Sequence, residues 1–317
     1  MAVTLYRSQD PSAPALSGTV GSLVALLDAV LVNGYGAKAA AGWTKPYTAT
    51  NQATFKPGAG VQHFFHIDDN SPNATALARE AQVRGSEAAS AVLTGAGFFP
   101  SVAQIAVGAG NAIRKSATAD STARAWAVIA DNRTCHLFII SGDSAGVWCG
   151  YSFGEIYSVL STTDNYRSIT VGRNANQSTA ADNLSALFAT TSGGPHSNHY
   201  MARAYTGLGS SIAVGKTTDA ARSYGASSIG GSGPTAPDAI TGAVLIAPVN
   251  IHEGGLGNVR GRLRGLFSIL HAPTPFADGD TIVGSGAYTG RTFLVLKPWG
   301  TGPGMACFDQ TGPWETN

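Results

Sequence analysis

Charge is what this sequence has least of. Asp, Glu, Lys and Arg make up 12% of its 317 residues, about half the share usual in a soluble domain. The 20 basic and 19 acidic side chains leave a formal net charge of +1, so there is no global basic field to hold nucleic acid. Solubility must rest instead on Ser, Thr, Asn, Gln and the backbone. Such a surface suits a protein that covers much of itself with copies or partners, or one that persists outside a cell. Cysteine is scarce too. Three residues, Cys135, Cys149 and Cys307, are too few and too odd in number for a disulfide framework. Folding in a reducing cytoplasm is the simplest reading, although Cys135 and Cys149 flank a turn, which leaves one bond between neighbouring strands open. No apolar run approaches the roughly 18 residues of a membrane helix. The opening MAVTLYRSQDPSAP lacks a basic stretch followed by an apolar one, so neither an export signal nor an anchor is expected.

Glycine and apolar residues are abundant: 40 glycines, 15 prolines and a hydrophobic share of 44% point to a globular chain rich in turns. Residues 1–17, polar and holding Pro11 and Pro14, read as an extended arm. One helix is predicted over about 19–32, because Leu23, Leu26, Leu27, Val30 and Leu31 recur on one apolar face. Ser17 or Thr19 is the expected cap, and Asn33-Gly34 the stop. Beyond it the pattern is that of strands: 62–67 with a partner at 81–86, the hairpin 126–130/135–140 around the turn 131–134, then 147–153 and 168–173. The pair 201–205/211–215 follows, then 242–249, 259–270, 281–283, 292–296 and 305–308. Residues 94–110 look irregular, 181–189 a short helix or loop, and 216–240 a long exposed loop rich in Gly, Ser, Ala and Thr. Ten to fourteen short strands with one helix predict a mostly β fold, a sandwich or jelly-roll-like body. It is organised as an arm (1–17) and one large domain (18–317). Helices do not alternate with strands, which argues against a doubly wound nucleotide-binding fold.

Few residues suggest chemistry. Gly142-Asp143-Ser144-Ala145-Gly146 matches G-x-S-x-G, and a triad of Ser144, Asp238 and His252 can be assembled. The sequence after Gly146, however, reads as a strand where a nucleophile elbow needs a helix. His196 and His199 have a spacing open to metal binding but sit in a loop-like stretch without H-E-x-x-H. His63 and His66 fall on opposite faces of a regular strand. Asp68-Asp69-Asn70 lacks the register of a calcium loop and reads as a turn. Glu155 and Asp164 are merely the carboxylates nearest to aromatics. Trp43, Trp148, Trp299 and Trp314 are candidates for sugar contact if exposed, though core packing is their commoner use. Arg260, Arg262 and Arg264 alternate, so a strand places them on one face; a solvated face or an inter-subunit charge contact is the plain reading. No catalytic, cofactor-binding or metal-ligating residue is assigned.

Several stretches form a familiar set: VGSLVALLD (20–28) running into VNGYG (32–36), AGWTKPY (41–47), HIDDN (66–70), RKSATAD (114–120), FGEIYS (153–158) and MARAYTG (201–207). Together they resemble a family of virion structural, tail-associated proteins of tailed bacteriophages, over about 3–310. These are packing and turn signatures. The resemblance implies a non-enzymatic particle component, and together with the composition it favours the tail, baseplate, collar or head-to-tail region over the capsid surface. Such a component is made in the host cytoplasm and assembles as a homo-oligomer, a trimer or a ring, with other virion proteins. The arm 1–17 and the loop 216–240 are the expected contact regions. The alternatives are a capsid decoration or cement protein, an adhesin domain that binds a host-surface glycan, and a serine hydrolase using Ser144. No cofactor, sequence-specific nucleic acid or membrane span is expected.

Overall fold

The computed structural model describes residues 2–70, 79–104, 110–143, 146, 148–160, 163–172, 199–217, 237, 240–254, 258–270, 276–296 and 305–316. Strand β1 (Thr4–Arg7) leads into the helix α1 (Ser22–Asp28). Short strands follow: β2 (Thr44–Ala49), β3 (Gln52–Lys56), β4 (Phe64–Asp68), β5 (Glu80–Ser86), the small pair β6 (Ala88–Ala91) and β7 (Thr94–Ala96), and β8 (Asn111–Arg114). β2, β3, β4, β5 and β8 bond in that order into an antiparallel sheet. The later strands are β9 (Ala125–Ala130), β10 (Thr134–Ile140), β11 (Cys149–Ser158), β12 (Ser168–Val171), β13 (His199–Met201) and β14 (Ile212–Thr217). After them come β15 (Ile246–Glu253), β16 (Val259–Ile269), β17 (Thr281–Val283), β18 (Thr292–Leu296) and β19 (Met305–Asp309). With β1 they form one twelve-stranded sheet in the order β1-β9-β10-β11-β12-β13-β14-β15-β16-β19-β18-β17. β11 also pairs with β16, with Ile156 opposite Leu263. The run from β11 to β16 is thereby closed into a six-stranded barrel. The fold is mostly β, 47% strand and 8% helical, and among the described residues its one α-helix lies near the N-terminus.

Alternation in the sequence sets the layers. In β9, Trp126, Val128 and Ala130 point one way and Ala127 and Ile129 the other, and both sets are buried. The first set joins Leu137, Ile139, Tyr151 and Phe153 in a core shared with Phe55, Phe65 and the helix leucines Leu23, Leu26 and Leu27. The second set, with Phe138, packs on Leu266, Leu294 and Phe308. Phe138 and Phe308 meet edge to face with centroids 4.6 Å apart. The sheet β1-β9-β10-β11 is therefore a middle layer, apolar on both sides. Each such side chain contributes about 1.5–3 kcal/mol of burial.

The predicted helix is shorter than expected at its start. The α-helix begins at Ser22 and passes into a wider π-helical turn over Ala29–Asn33. Its buried face is the one its periodicity predicts, and Gly34 ends it with a φ of +78°. Neither Ser17 nor Thr19 caps it, since no side-chain cap is made. Instead, Asp69 Oδ2 accepts the Leu23 amide at 2.8 Å. A carboxylate from the neighbouring sheet suits the positive end of the helix. Residues 1–17 also differ from the expected arm. Thr4 pairs with Ala130 across β1 and β9, Tyr6 and Leu16 are fully buried, and the Trp126 indole donates to Pro14 O at 3.0 Å. Two apolar side chains among polar neighbours are enough to draw this segment into the body. The hairpin β9–β10 forms where predicted; Asp131 Oδ1 accepts the Arg133 and Thr134 amides, each at 2.9 Å, and holds its turn. The pairing β4–β5 also matches expectation; β13 pairs with β14, but it ends at Met201, where the expected strand 201–205 was to begin. Strands β1, β2, β3, β6, β7 and β8 were not foreseen. The expected elements at 181–189, and nearly all of 216–240, lie outside the described residues.

Candidate functional site

Thirteen of the 39 charged side chains are buried among the described residues, an unusual share for groups that rarely leave water unpaired. β16 carries Arg260, Arg262 and Arg264 along one face, yet this is not the solvated face that alternation suggested. Arg260 and Arg264 are 2% and 1% exposed. Arg260 donates from Nε and Nη2 to the two Asp164 oxygens, both at 2.8 Å, and from Nη1 to Glu253 Oε2 at 2.6 Å. Arg264 grips Asp131 through Nη1 (3.0 Å) and Nη2 (2.6 Å), and also reaches Thr134 Oγ1 and the Glu315 carbonyl. Arg262 alone is partly exposed, lying 4.7 Å over the Tyr157 ring and pairing with Glu315. Planar guanidinium groups match carboxylates bidentately, so arginine is suited to neutralising acids below the surface.

Glu155 and Asp164 belong to the same cluster, each held by arginine. Glu155 accepts from Arg167 Nε at 3.0 Å and from the Val61 amide, with Arg133 3.6 Å away. Arg167 reaches on to the Asp164 carbonyl at 2.6 Å. A separate pair ties the helix to the sheets: Lys115 Nζ bonds Asp69 Oδ1, both side chains fully buried. Burial pushes the Asp69 carboxyl up to about 6, with Lys115 and the helix amides pulling the other way, and burial lowers the Lys115 ammonium. Arg114 bridges Glu80 (2.9 Å) and Asp143 (2.8 Å).

The cluster around Arg260 reaches solvent at a cleft of about 380 Å³. Arg260 and Glu253 line it together with Leu160, Tyr205, Asn258 and Val259. The Tyr205 amide donates to both Glu253 oxygens, at 3.0 and 3.1 Å, while its side chain is 63% exposed. Local spacing does not reveal this cleft, because its residues come from four separate segments. The one local signal is the turn after Tyr205, where Gly207 and Gly209 take φ values of +76° and +69°.

The other sequence candidates fall elsewhere. Ser144, Asp238, His196 and Trp299 lie outside the described residues. Gly142 and Gly146 lie between the antiparallel strands β10 and β11, so a strand follows the motif. His252 is buried in β15 and His199 in β13. His66 bridges Thr54 Oγ1 (2.9 Å) and Ser86 Oγ (2.8 Å), and His63 packs on Phe99. Burial lowers both imidazoles, and His136, to about 4. Asp68 accepts from Gln52 and the Asn70 amide, both at 3.1 Å, which makes it a turn residue. Trp43, Trp148 and Trp314 are buried, their indole N–H groups donating to Asp131 O, Asp278 Oδ2 and Asp309 O. They offer no exposed platform for a sugar. All three cysteines are buried. In register, Cys135 faces Phe153 and Cys149 faces Ile139, so they stand at opposite ends of the pairing. Among the described residues no helix is long and apolar enough to cross a membrane, and no three His, Cys, Asp or Glu side chains are grouped to hold a metal ion. Compared with known proteins, the sequence matches no family model and no curated protein.

Proposed function

We propose that this chain is a non-enzymatic structural component of a tailed-phage particle. It sits in the tail, baseplate or head-to-tail region and works by homo-oligomeric assembly. The observation that carries this reading is where the resembling stretches lie. Residues far apart in the chain meet as one frame. Leu23 and Lys115 converge on Asp69, Trp43 stands edge-on to Phe153 at 5.8 Å, and Glu155 holds Arg167. The likeness to virion proteins thus rests on residues that support the architecture, which is what a structural family would share.

Two further features favour assembly. Much of the scarce charge is engaged in internal pairs, leaving a weakly charged exterior suited to contact with copies. β17 is also an outer strand, bonded among the described residues only to β18. Val283 on β17 is 74% exposed, and an uncharged edge strand offers its backbone to another chain, here over three residues. The test is the mass of the purified protein by light scattering over a concentration series, with immunogold labelling of purified particles. A discrete trimer or ring, and label on the particle, are expected. A stable monomer absent from particles would falsify the reading. The hydrolase alternative is tested by a fluorophosphonate probe. The structural reading expects no labelling, and labelling abolished by Ser144→Ala would overturn it.

A further inference from the structure

We propose that the cleft beneath Tyr205 is a binding site for a neutral carbohydrate. A pyranose ring lies against the Tyr205 side chain, with its hydroxyls on Glu253 and Asn258. The inference does not rest on the phage reading; it follows from the chemistry of the cleft.

At about 380 Å³ the cleft lies at the small end of the roughly 300–1,000 Å³ of small-molecule sites. Its floor is built and rigid. Arg260 is held at three points by Asp164 and Glu253, and Glu253 is further held by the Tyr205 amide. Little side-chain freedom is left to lose when a ligand arrives. The floor is also balanced in charge. Arg260 and Glu253, the two charged groups that line it, are paired with each other at 2.6 Å. A phosphate or sulfate would meet the Glu253 carboxylate, and a cation would meet the Arg260 guanidinium. A neutral ligand rich in hydroxyls suffers neither repulsion. Glu253 still has acceptor capacity, since an ionised carboxylate offers about four lone-pair sites. Asn258 adds an amide that both donates and accepts. The walls are apolar: Leu160, Val259 at 44% exposure and Tyr205 at 63% exposure. An exposed aromatic ring beside fixed polar groups matches a sugar, whose faces are C–H and whose edges are hydroxyl.

The test uses the full chain. Saturation-transfer NMR is run with the methyl glycosides of glucose, galactose, mannose and N-acetylglucosamine, backed by a broad glycan array. Binding of at least one neutral glycan is expected. Tyr205→Ala should weaken it roughly tenfold with an unchanged unfolding midpoint, because the side chain is largely exposed, and Tyr205→Phe should retain it. Silence across the array and the glycosides overturns the proposal, as does binding that Tyr205→Ala leaves intact. Efficient disulfide crosslinking between copies through Tyr205→Cys would overturn it as well, by placing the cleft in a contact between copies.

Discussion

Arginine carries much of the structure at the scale of the single residue. A buried carboxylate is tolerated when its charge is met and its oxygens are bonded, and removing one partner leaves the other stranded. Arg264→Met is therefore expected to cost about 3–5 kcal/mol in urea unfolding, because Asp131 would stay buried and charged. Asp131→Asn together with Arg264→Met should cost less than Arg264→Met alone, since no unpaired charge remains. Histidine sets the response to acid. His136 falls from an ordinary 6.5 to about 4 because the folded protein surrounds it with apolar groups, and His63 and His66 do the same. The unfolded chain takes up these protons from about pH 6.5 downward while the folded chain resists until about 4, so stability falls across that window. For fully buried His136 the loss amounts to about 3 kcal/mol. Asp69 has the opposite sign: raised to about 6 from 3.8, it binds its proton more readily when folded, so its ionisation cost is relieved on acidification through that range. With three histidines against one aspartate, the unfolding midpoint should drop between pH 6.5 and 4, and His136→Gln should flatten the curve. A midpoint that rises on acidification would show that the Asp69 effect dominates.

Among the elements, β11 bears the heaviest constraint. It pairs with β10 and β12 along its first part and with β16 at its end, so its backbone must turn from one sheet into the barrel. Gly154 makes that possible. Its φ is +127°, and a Cβ there would lie 2.4 Å from the Arg133 carbonyl. Gly154→Ala should destabilise the protein by more than about 2 kcal/mol, from strain and clash together, measured by chemical denaturation. Gly261 plays the matching role on β16, where a Cβ would come within 2.2 Å of the Tyr157 carbonyl. Such requirements explain what could be read in the chain. Strands with a strong apolar pattern, β9, β10 and β18, were legible because both of their faces are largely buried. β2 and β3 were missed because Lys45, Pro46, Gln52 and Lys56 break the pattern, and β2 is exposed along most of its length. The cap of α1 was missed because its partner, Asp69, lies 46 residues away. The Tyr205 cleft was hidden for the same reason: no local spacing shows that Glu253 will meet the Tyr205 amide.

For the whole molecule, the balance of inside and outside matters most. A chain with few charges that uses many of them internally presents an exterior of polar, uncharged groups with isolated apolar side chains. Assembly then depends on shape and on strand edges more than on electrostatic steering, so changes in salt should move the association equilibrium little. If the β17 edge joins copies, Val283→Lys should shift the light-scattering mass toward the monomer while leaving the unfolding free energy within about 0.5 kcal/mol of the parent. The closed ring has a separate consequence, for the order in which the molecule comes apart. A ring has no first strand to peel, so opening must begin at the two free ends of the twelve-stranded sheet, at β1 and at β17, and travel inward. Amide hydrogen exchange should record this as a gradient, fastest at β17 and slowest where β11 meets β16. The last amides to exchange would then be those of the seam that Gly154 and Gly261 allow to form.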